Sequence, residues 1–226
     1  MKERPILFSA SMVRAILEGR KTMTRRVIKY PLSTGAFVLM EMADGSLWPH
    51  VSCDGESLLD NHDNETPMHC PYGQPGDRLW VRETFRTDAY ADGRAEYRAS
   101  PTCEEKIEEY DSPARWRPSI FMQRKYSRIL LDVTAIRVER VQDISEADAR
   151  DEGSSCTLWY QPFGKSEGES VNLSTQAINP VHPSHGKPEG ISYRNGFASL
   201  WDSINAKRGY GWDANLWVWV VEFKSV

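Results

Sequence analysis

The chain of 226 residues carries a formal net charge of -4, and 40% of its residues are hydrophobic, which suffices for a folded core and excludes a disordered chain. Its length fits one domain that carries long insertions. A mildly acidic chain does not coat nucleic acid indiscriminately, although a local basic surface can still bind phosphates. The apolar run near the N-terminus spans only Ile6 to Phe8, too few residues for a signal peptide or a membrane span. We therefore expect a cytoplasmic protein without membrane contact.

The cysteines are far apart in sequence, which in a reducing compartment favours free thiols over a disulfide framework. Two of them could join His50 and His69 in a zinc set. Adjacent ligands at positions 69 and 70 would strain a tetrahedral site, however, and the spacing matches no common zinc motif. We therefore predict neither a metal nor a cofactor. The four cysteines are Cys53, Cys70, Cys103 and Cys156.

The first elements in the chain are predicted as a strand, a short helix and a second extended segment. Pro5 to Phe8 is an apolar run of strand type. The helix follows Ser9 and Ser11, either of which can cap its N-terminus, and Gly19 stands where a left-handed C-terminal residue belongs. Thr22 to Ile28 is rich in β-branched residues and is predicted to be extended. The apolar residues at helical spacing are Met12, Val13, Ile16 and Leu17.

Two stretches of the chain are basic and contain no acid. Between Gly19 and Lys29 there are five Lys or Arg residues, a local reversal of sign that suits an anion site or a nucleic-acid surface. The stretch from Ser112 to Arg128 interleaves basic residues with Trp116, Phe121 and Tyr126, a composition that pairs phosphates and stacks bases. It is equally open that these aromatic residues belong to the core and that the bases only flank strands.

A turn and a strand are predicted from Gly76 to Glu83. Glu83 is either an active carboxylate or, as we favour, the ion-pair partner of a nearby arginine. Asp92 and Gly93 form a hairpin signal that leads into the segment from Ala95 to Ala99.

The middle of the chain predicts a long bent strand followed by a short helix. From Ile129 onward the apolar residues switch from odd to even positions, which predicts a β-bulge near Thr134 and Ala135. The run from Ile144 to Gly153 is then a helix that Ser145 caps. Glu152 falls at its C-terminal end, where the helix dipole disfavours a carboxylate, and this indicates a partner elsewhere.

Two regions are predicted as insertions, one at about 30–75, irregular with a hairpin, and one at about 153–190, a second insertion or lid. A helix follows and ends near Gly209. Leu216 to Phe223 is an almost unbroken apolar strand, so it is expected to be central in a sheet or part of a closed barrel. The apolar residues on one face of the helix are Phe197, Leu200, Trp201 and Ile204.

Four features together resemble the ASCH domain family of the PUA-like superfamily, in particular its long phage-borne or prophage-borne members. They are the run Gly19-Arg20-Lys21-Thr22-Met23-Thr24-Arg25, the turn Gly76-Asp77, the helix from Ile144 to Gly153, and the terminal run Trp219-Val220-Val221-Glu222-Phe223-Lys224. The resemblance covers about half of the chain. It implies an α+β fold: a single PUA-like domain over residues 1–226, built on a β-barrel with flanking short helices and the two insertions.

The resemblance also implies an activity. One small bacterial member of the family is an amidohydrolase that deacetylates N4-acetylcytidine with a lysine, a threonine and a glutamate. These fall on Lys21, Thr24 and Glu152, the last by its position in Asp151-Glu152-Gly153. Thr24 would attack the acetyl carbonyl, Lys21 would accept its proton, and Glu152 would pass a proton to the leaving amine or orient Lys21. This chain is about twice as long as that member, so its cleft is expected to be covered or reshaped.

Other family members are thought to be ribonucleases or RNA-binding modules, so the alternative partner is RNA in the same basic cleft. A third hypothesis is a phage protein that binds a host factor through its insertions. The residues predicted to contact the nucleoside or RNA are Arg20, Arg25, Arg26, Arg82, Glu83, Arg115, Trp116, Arg117, Arg124 and Tyr126.

Overall fold

The computed structural model describes residues 1–29, 37–43, 45–51, 66–87, 94–100, 115–155, 157–158 and 191–226. Helices and strands are mixed in these ranges, which is compatible with the predicted α+β class. The same ranges contain no helix that is long and apolar enough to cross a membrane.

The N-terminal region folds as predicted into a strand, a short helix and a second strand. These are β1 (Glu3–Leu7), α1 (Ala10–Leu17) and β2 (Met23–Val27). Ser9 caps α1, because its Oγ accepts a hydrogen bond from an amide in the first turn. The chain leaves α1 through Gly19, whose φ of 71° is the left-handed conformation that glycine adopts without steric cost.

Three later strands join β1 and β2 in one sheet: β6 (Arg78–Arg82), β9 (Leu130–Arg140) and β12 (Trp217–Ser225). The spatial order is β1, β6, β9, β12, β2, with β1 parallel to β6 and the other neighbours antiparallel. β12 therefore has a strand on each side. The position of β12 inside the sheet agrees with its apolar sequence, because a strand that is buried on both faces carries apolar side chains on both.

The expected closure of this sheet into a barrel is not found among the described strands, in which β1 and β2 form two open edges. A closed barrel needs a ladder of backbone hydrogen bonds between its first and last strands. Here a side chain makes the contact instead, since Nη2 of Arg26 donates to the carbonyl oxygen of Leu7 at 2.7 Å. The sheet is thus a mixed, open sheet over the described residues.

The predicted bulge in β9 is confirmed. Glu222 of β12 pairs with Ala135, and the next residue, Phe223, pairs with Val133, so the register shifts by one residue. Thr134 is the additional residue on the bulged strand, and such a residue bends the strand and increases its twist.

Smaller sheets surround the main one. The segment predicted as an irregular insertion at 30–75 contains a three-stranded sheet whose first two strands form the predicted hairpin. The predicted turn at Asp92 and Gly93 lies outside the described residues, although the strands on either side of it do pair. Most of the predicted insertion at 153–190 also lies outside them. The small strands are β3 (Phe37–Glu41), β4 (Leu47–Val51), β5 (Thr66–Pro67), β7 (Phe85–Arg86), β8 (Glu96–Tyr97), β10 (Thr157–Leu158) and β11 (Ile191–Ser192).

The two faces of the main sheet are covered by different helices. Trp219 and Val221 of β12 face the cluster that includes α1, whereas Val218 and Val220 face the cluster formed with α2 (Glu146–Asp151) and α3 (Tyr193–Asn205). This is the alternation that a strand between two apolar layers requires. Within α3, Phe197 and Trp201 are buried as predicted, but Ile204 is 47% exposed because α3 ends at the next residue.

Candidate active site

Lys21 enters the site from the turn between α1 and β2. Its backbone amide donates to the carbonyl oxygen of Ala15, and the next amide, that of Thr22, donates to the carbonyl oxygen of Asp151. These bonds join the turn to α1 on one side and to the end of α2 on the other. As a result the Lys21 side chain points inward, and the residue is 3% exposed.

The Lys21 amine has a complete set of acceptors. Nζ donates to the carbonyl oxygen of Met23 at 2.8 Å, to the carbonyl oxygen of Glu152 at 2.7 Å and to Oε2 of Glu152 at 2.7 Å. An ammonium group has three donors, so all of them are used. Burial lowers the pKa of Lys21, and Arg26 and Arg25 lower it further, while the Glu152 carboxylate partly offsets these effects.

Glu152 is the carboxylate of this pair and is itself 3% exposed. It caps the C-terminal end of α2, and Gly153, with a φ of 76°, turns the chain away directly after it. Oε1 of Glu152 lies 3.6 Å from Nη1 of Arg25 and has no hydrogen-bond partner within the described part of the chain. The partner expected for this unfavourably placed carboxylate is therefore Lys21, with Arg25 beside it.

Thr24 lies on β2 and is 4% exposed. It pairs with Val221 across an antiparallel ladder, so both side chains share the sheet face that also carries Phe8. The Phe8 ring centroid is 5.5 Å from Nζ of Lys21. The structure thus brings Lys21 and Glu152 into direct contact. Thr24 is three residues after Lys21 and lies on the sheet face that packs against Phe8. The hydrogen bonds of the Lys21 amine go to Met23 and Glu152 and not to Thr24.

The first basic stretch does not form one continuous surface. Arg20 is exposed and pairs with Glu18 at 2.8 Å, whereas Arg26 donates to the carbonyl oxygen of Leu7 and lies over the Phe8 ring. Arg25 is predicted to contact the nucleoside or RNA; in the structure its side chain is 0% exposed and is paired with Glu139 and Asp148 inside the protein. The strand alternation explains the difference, because it places Arg25 on the opposite face from Thr24 and Arg26.

Glu83 is an ion-pair partner, as favoured from the sequence, and does not face an open cleft. It is 1% exposed, and both of its oxygens accept bonds from Arg128, at 2.8 and 3.0 Å. Two parallel bonds of this kind are the strong geometry for arginine and a carboxylate. The neighbouring Arg82 lies over the Trp80 ring and donates to the carbonyl oxygen of Ile120.

Two of the three aromatic residues of the second basic stretch, Trp116 and Tyr126, are held against the protein. Trp116 lies under the guanidinium of Arg86, with 4.8 Å between the guanidinium carbon and the ring centroid, and Tyr126 packs on Phe85 at 5.6 Å. Both rings are half-buried, which agrees for these two residues with the hypothesis that the aromatic residues belong to the core.

The basic side chains of this stretch are more exposed than the rings of Trp116 and Tyr126. Arg115 and Arg117 are exposed, and the half-exposed Arg124 pairs with Glu3 at 2.7 Å. Two apolar side chains of the same stretch, Ile120 and Phe121, are 59% and 67% exposed.

A cavity of about 800 Å³ lies elsewhere, between β1 and the small sheet of β3 to β5. Trp48 and Met68 contribute its apolar lining and Arg4 a charge, and neither Lys21 nor Glu152 borders it. Burial raises the pKa of Cys70, which also lines the cavity, to about 11, and this disfavours the reactive thiolate form at neutral pH.

The histidines of the conceivable zinc set do not share an environment. His50 is buried on β4, whereas His69 is exposed, and Cys53 lies outside the described residues. No group of three or more His, Cys, Asp or Glu residues suited to a metal ion occurs in the described ranges.

No protein-family model, curated protein or solved structure matches the chain.

Proposed function

We propose that this protein is an amidohydrolase that removes an acyl group from the exocyclic amine of a modified nucleoside, with N4-acetylcytidine as the model substrate. The resemblance of its motif to the ASCH family supports this proposal. So does one structural observation: Lys21 and Glu152 form a buried pair next to the strand that carries Thr24. On this proposal the chain is a PUA-like, ASCH-type protein.

A buried amine of this kind suits the activation of a hydroxyl group. A threonine hydroxyl is a poor nucleophile until a base removes its proton, and an ordinary lysine is protonated at neutral pH. Burial and two neighbouring arginines lower the pKa of Lys21, so its neutral form is easier to reach than that of an exposed lysine. This favours Lys21 over the exposed lysines as a base.

In the proposed reaction the protons are transferred among Thr24, Lys21 and Glu152. The reaction starts from the neutral form of Lys21, whose nitrogen has a free lone pair. The Thr24 oxygen attacks the acyl carbon while its proton passes to Nζ of Lys21, which then becomes the ammonium group with three donors. Because Nζ already donates to Oε2 of Glu152, Lys21 can pass a proton on to that carboxylate. Glu152 then protonates the departing amine as the C–N bond breaks. Water then attacks the threonyl ester, and one of its protons returns through Lys21 to the Thr24 oxygen as the ester C–O bond breaks. The acetic acid released ionises in solution, so N4-acetylcytidine and water give cytidine, acetate and one proton.

The decisive experiment is incubation of the purified protein with N4-acetylcytidine, with cytidine and acetate followed by chromatography. We expect release of both products by the wild-type protein and loss of release in Thr24→Ala and Lys21→Ala, each checked for folding by circular dichroism. Absence of cytidine from the wild-type reaction would contradict the proposal. Release that persists in both folded variants would remove these residues from the mechanism.

A second candidate is an RNA-binding module or ribonuclease. The exposed turn with Ile120 and Phe121 favours it, since Arg82, Arg115 and Lys125 supply cations in the same region. On this hypothesis affinity for a short single-stranded RNA falls steeply with salt, and a ribonuclease would also cleave a labelled strand. Salt-independent binding, or none at low salt, would count against it. We rank it second because Arg25 and Glu83 are engaged within the protein.

A further inference from the structure

Arg25 is a cation whose side chain is enclosed by the protein. Its side chain is 0% exposed, and its guanidinium carbon lies 6.0 Å from the ring centroid of Phe197 on α3. Enclosing a charge costs free energy unless partners inside the protein compensate it. The charge of Arg25 therefore acts on the groups that it contacts inside the protein.

One arm of the guanidinium is fixed by two acids. Nη2 donates to Oε2 of Glu139 on β9 at 2.9 Å and to Oδ2 of Asp148 on α2 at 2.6 Å. Both acids are also held by Arg137, which donates to Glu139 and, at 2.7 Å, to Asp148. These four side chains, Arg25, Glu139, Asp148 and Arg137, form a connected network that we call the Arg25 clamp. A network in which each member has several partners restricts the rotation of each.

The other arm of the guanidinium faces the site. Nη1 of Arg25 donates a hydrogen bond to Sδ of Met23 at 3.5 Å and lies at an ion-pair distance of 3.6 Å from Oε1 of Glu152. Oε2 of Glu152 accepts a bond from Lys21 at 2.7 Å. The two oxygens of one carboxylate are thus divided between two cations. Because Arg25 is fixed, rotation of the Glu152 carboxylate away from Lys21 would also move Oε1 away from Arg25, its nearest cation. This is unfavourable because an unpaired charge costs more free energy in a buried, low-dielectric space than in water.

We propose that Arg25 is a positioning residue, which through the Arg25 clamp holds the Glu152 carboxylate turned toward the Lys21 amine. As a step in catalysis this rests on the proposed function, in which Lys21 and Glu152 exchange a proton. As a statement about the orientation of Glu152 it does not depend on any substrate, so the two can be tested separately.

The test without substrate is the side-chain ammonium signal of Lys21 in protein with ¹⁵N-labelled lysine, assigned by its absence in Lys21→Met. Three acceptors and burial should protect these protons from exchange with water. In Arg25→Gln we expect exchange to become at least about tenfold faster, because the bond to the freed carboxylate opens more often. Arg25→Lys, which keeps the charge, should restore part of the protection. Unchanged exchange in folded Arg25→Gln would overturn the proposal.

Arg128→Gln is the matched control. Arg128 also holds a buried carboxylate, that of Glu83, with two hydrogen bonds, so its loss should destabilise the protein comparably. It should leave the Lys21 signal unchanged, which separates a general loss of stability from an effect on Glu152. An equal change in exchange for Arg128→Gln and Arg25→Gln would also overturn the proposal.

If Arg25→Gln does not fold, the double variant Glu139→Gln, Asp148→Asn provides the same test. It keeps the Arg25 cation and the shapes of both side chains but removes the charges that fix Nη2. The Lys21 protons should again exchange faster than in Arg128→Gln, and the same rate in both would count against the clamp.

Kinetics then separate this inference from the proposed function. If the wild-type protein hydrolyses N4-acetylcytidine, Arg25→Gln should lower kcat about 10- to 100-fold with little change in KM, because a misplaced proton donor affects the reaction and not the binding. A change confined to KM would contradict the positioning role. If the wild-type protein hydrolyses nothing while the ammonium signal still responds, the proposed function fails and the positioning of Glu152 stands.

Discussion

Nζ of Lys21 lies 2.7 Å from Oε2 of Glu152, although the two residues are 131 positions apart in the chain. Their side chains are only 2% and 4% exposed. The contact joins the turn after α1 to the end of α2, so the pair that we propose to carry protons also contributes to the fold. Stability and activity can therefore be separated only by choosing substitutions with care.

Removing one member of this pair should cost more stability than removing both. Lys21→Met leaves the Glu152 carboxylate without its main partner, and Glu152→Leu leaves a buried ammonium group, so each should destabilise the protein by about 3–5 kcal/mol. The double variant should lose much less than the sum, because it leaves neither charge uncompensated. Urea unfolding of the four proteins measures this coupling, and additive losses would show that the pair is not energetically linked.

The stability of the protein should depend on pH through Lys21. Burial lowers the pKa of Lys21 in the folded state, whereas in the unfolded chain it titrates near its ordinary value of about 10.4. Between these two pKa values the unfolded chain binds more protons, so the free energy of unfolding should rise with pH across this window.

This rise is measured by urea unfolding at a series of alkaline pH values. It should be present in the wild-type protein and reduced in Lys21→Met, while Lys125→Met, at an exposed position, should keep it. A wild-type slope that persists unchanged in Lys21→Met would assign the dependence to other groups.

The Thr24 hydroxyl should be required for turnover and dispensable for folding. Thr24→Val keeps the β-branched shape on β2 but removes the nucleophile, so hydrolysis of N4-acetylcytidine should fall to background. Thr24→Ser keeps a hydroxyl and should retain measurable activity. Thermal unfolding provides the control, since both variants should melt within a few degrees of the wild-type protein. Full activity in Thr24→Val would exclude Thr24 as the nucleophile.

Gly153 should be required because of both its conformation and its contacts. Its φ of 76° is strained for other residues, and a Cβ there would lie 3.0 Å from Cβ of Ala15 and 3.1 Å from Cβ of Lys21. Gly153→Ala should therefore cost more than the roughly 1–2 kcal/mol of the strain alone. Gly209→Ala is the control, because its φ is 82° and nothing lies within 4 Å of the added Cβ. Equal losses of unfolding free energy in the two variants would contradict a close contact at Gly153.

Local features of the fold could be predicted from the sequence because their causes are local. The Ser9 cap, the left-handed Gly19 and the bulge at Thr134 each follow from residues within a few positions. The central place of β12 follows from its own apolar run. Barrel closure depends on how distant strands meet, and here it was expected from a resemblance and is not found among the described strands.

The site was predictable to a smaller extent. The resemblance named Lys21 and Glu152, and the unfavourable position of Glu152 at a helix end indicated a partner, but no spacing rule joins residues so far apart. The role of Arg25 was missed because charge alone assigned it to a surface. One signal was present: strand alternation from Thr22 to Ile28 already separates Arg25 from Thr24. Its acidic partners Glu139 and Asp148, by contrast, have no local signature.

The parallel pairing of β1 with β6 has a consequence for how the chain folds. The amide of Lys2 donates to Oδ1 of Asp77, so this ladder begins with a contact between residues 75 positions apart. Closing so long a loop is slow, and domains rich in distant pairings of this kind fold in roughly milliseconds to seconds. Because β1 leads directly into Phe8 and presents the Leu7 carbonyl to Arg26, we expect the surroundings of the Lys21 amine to form late, when this edge strand docks.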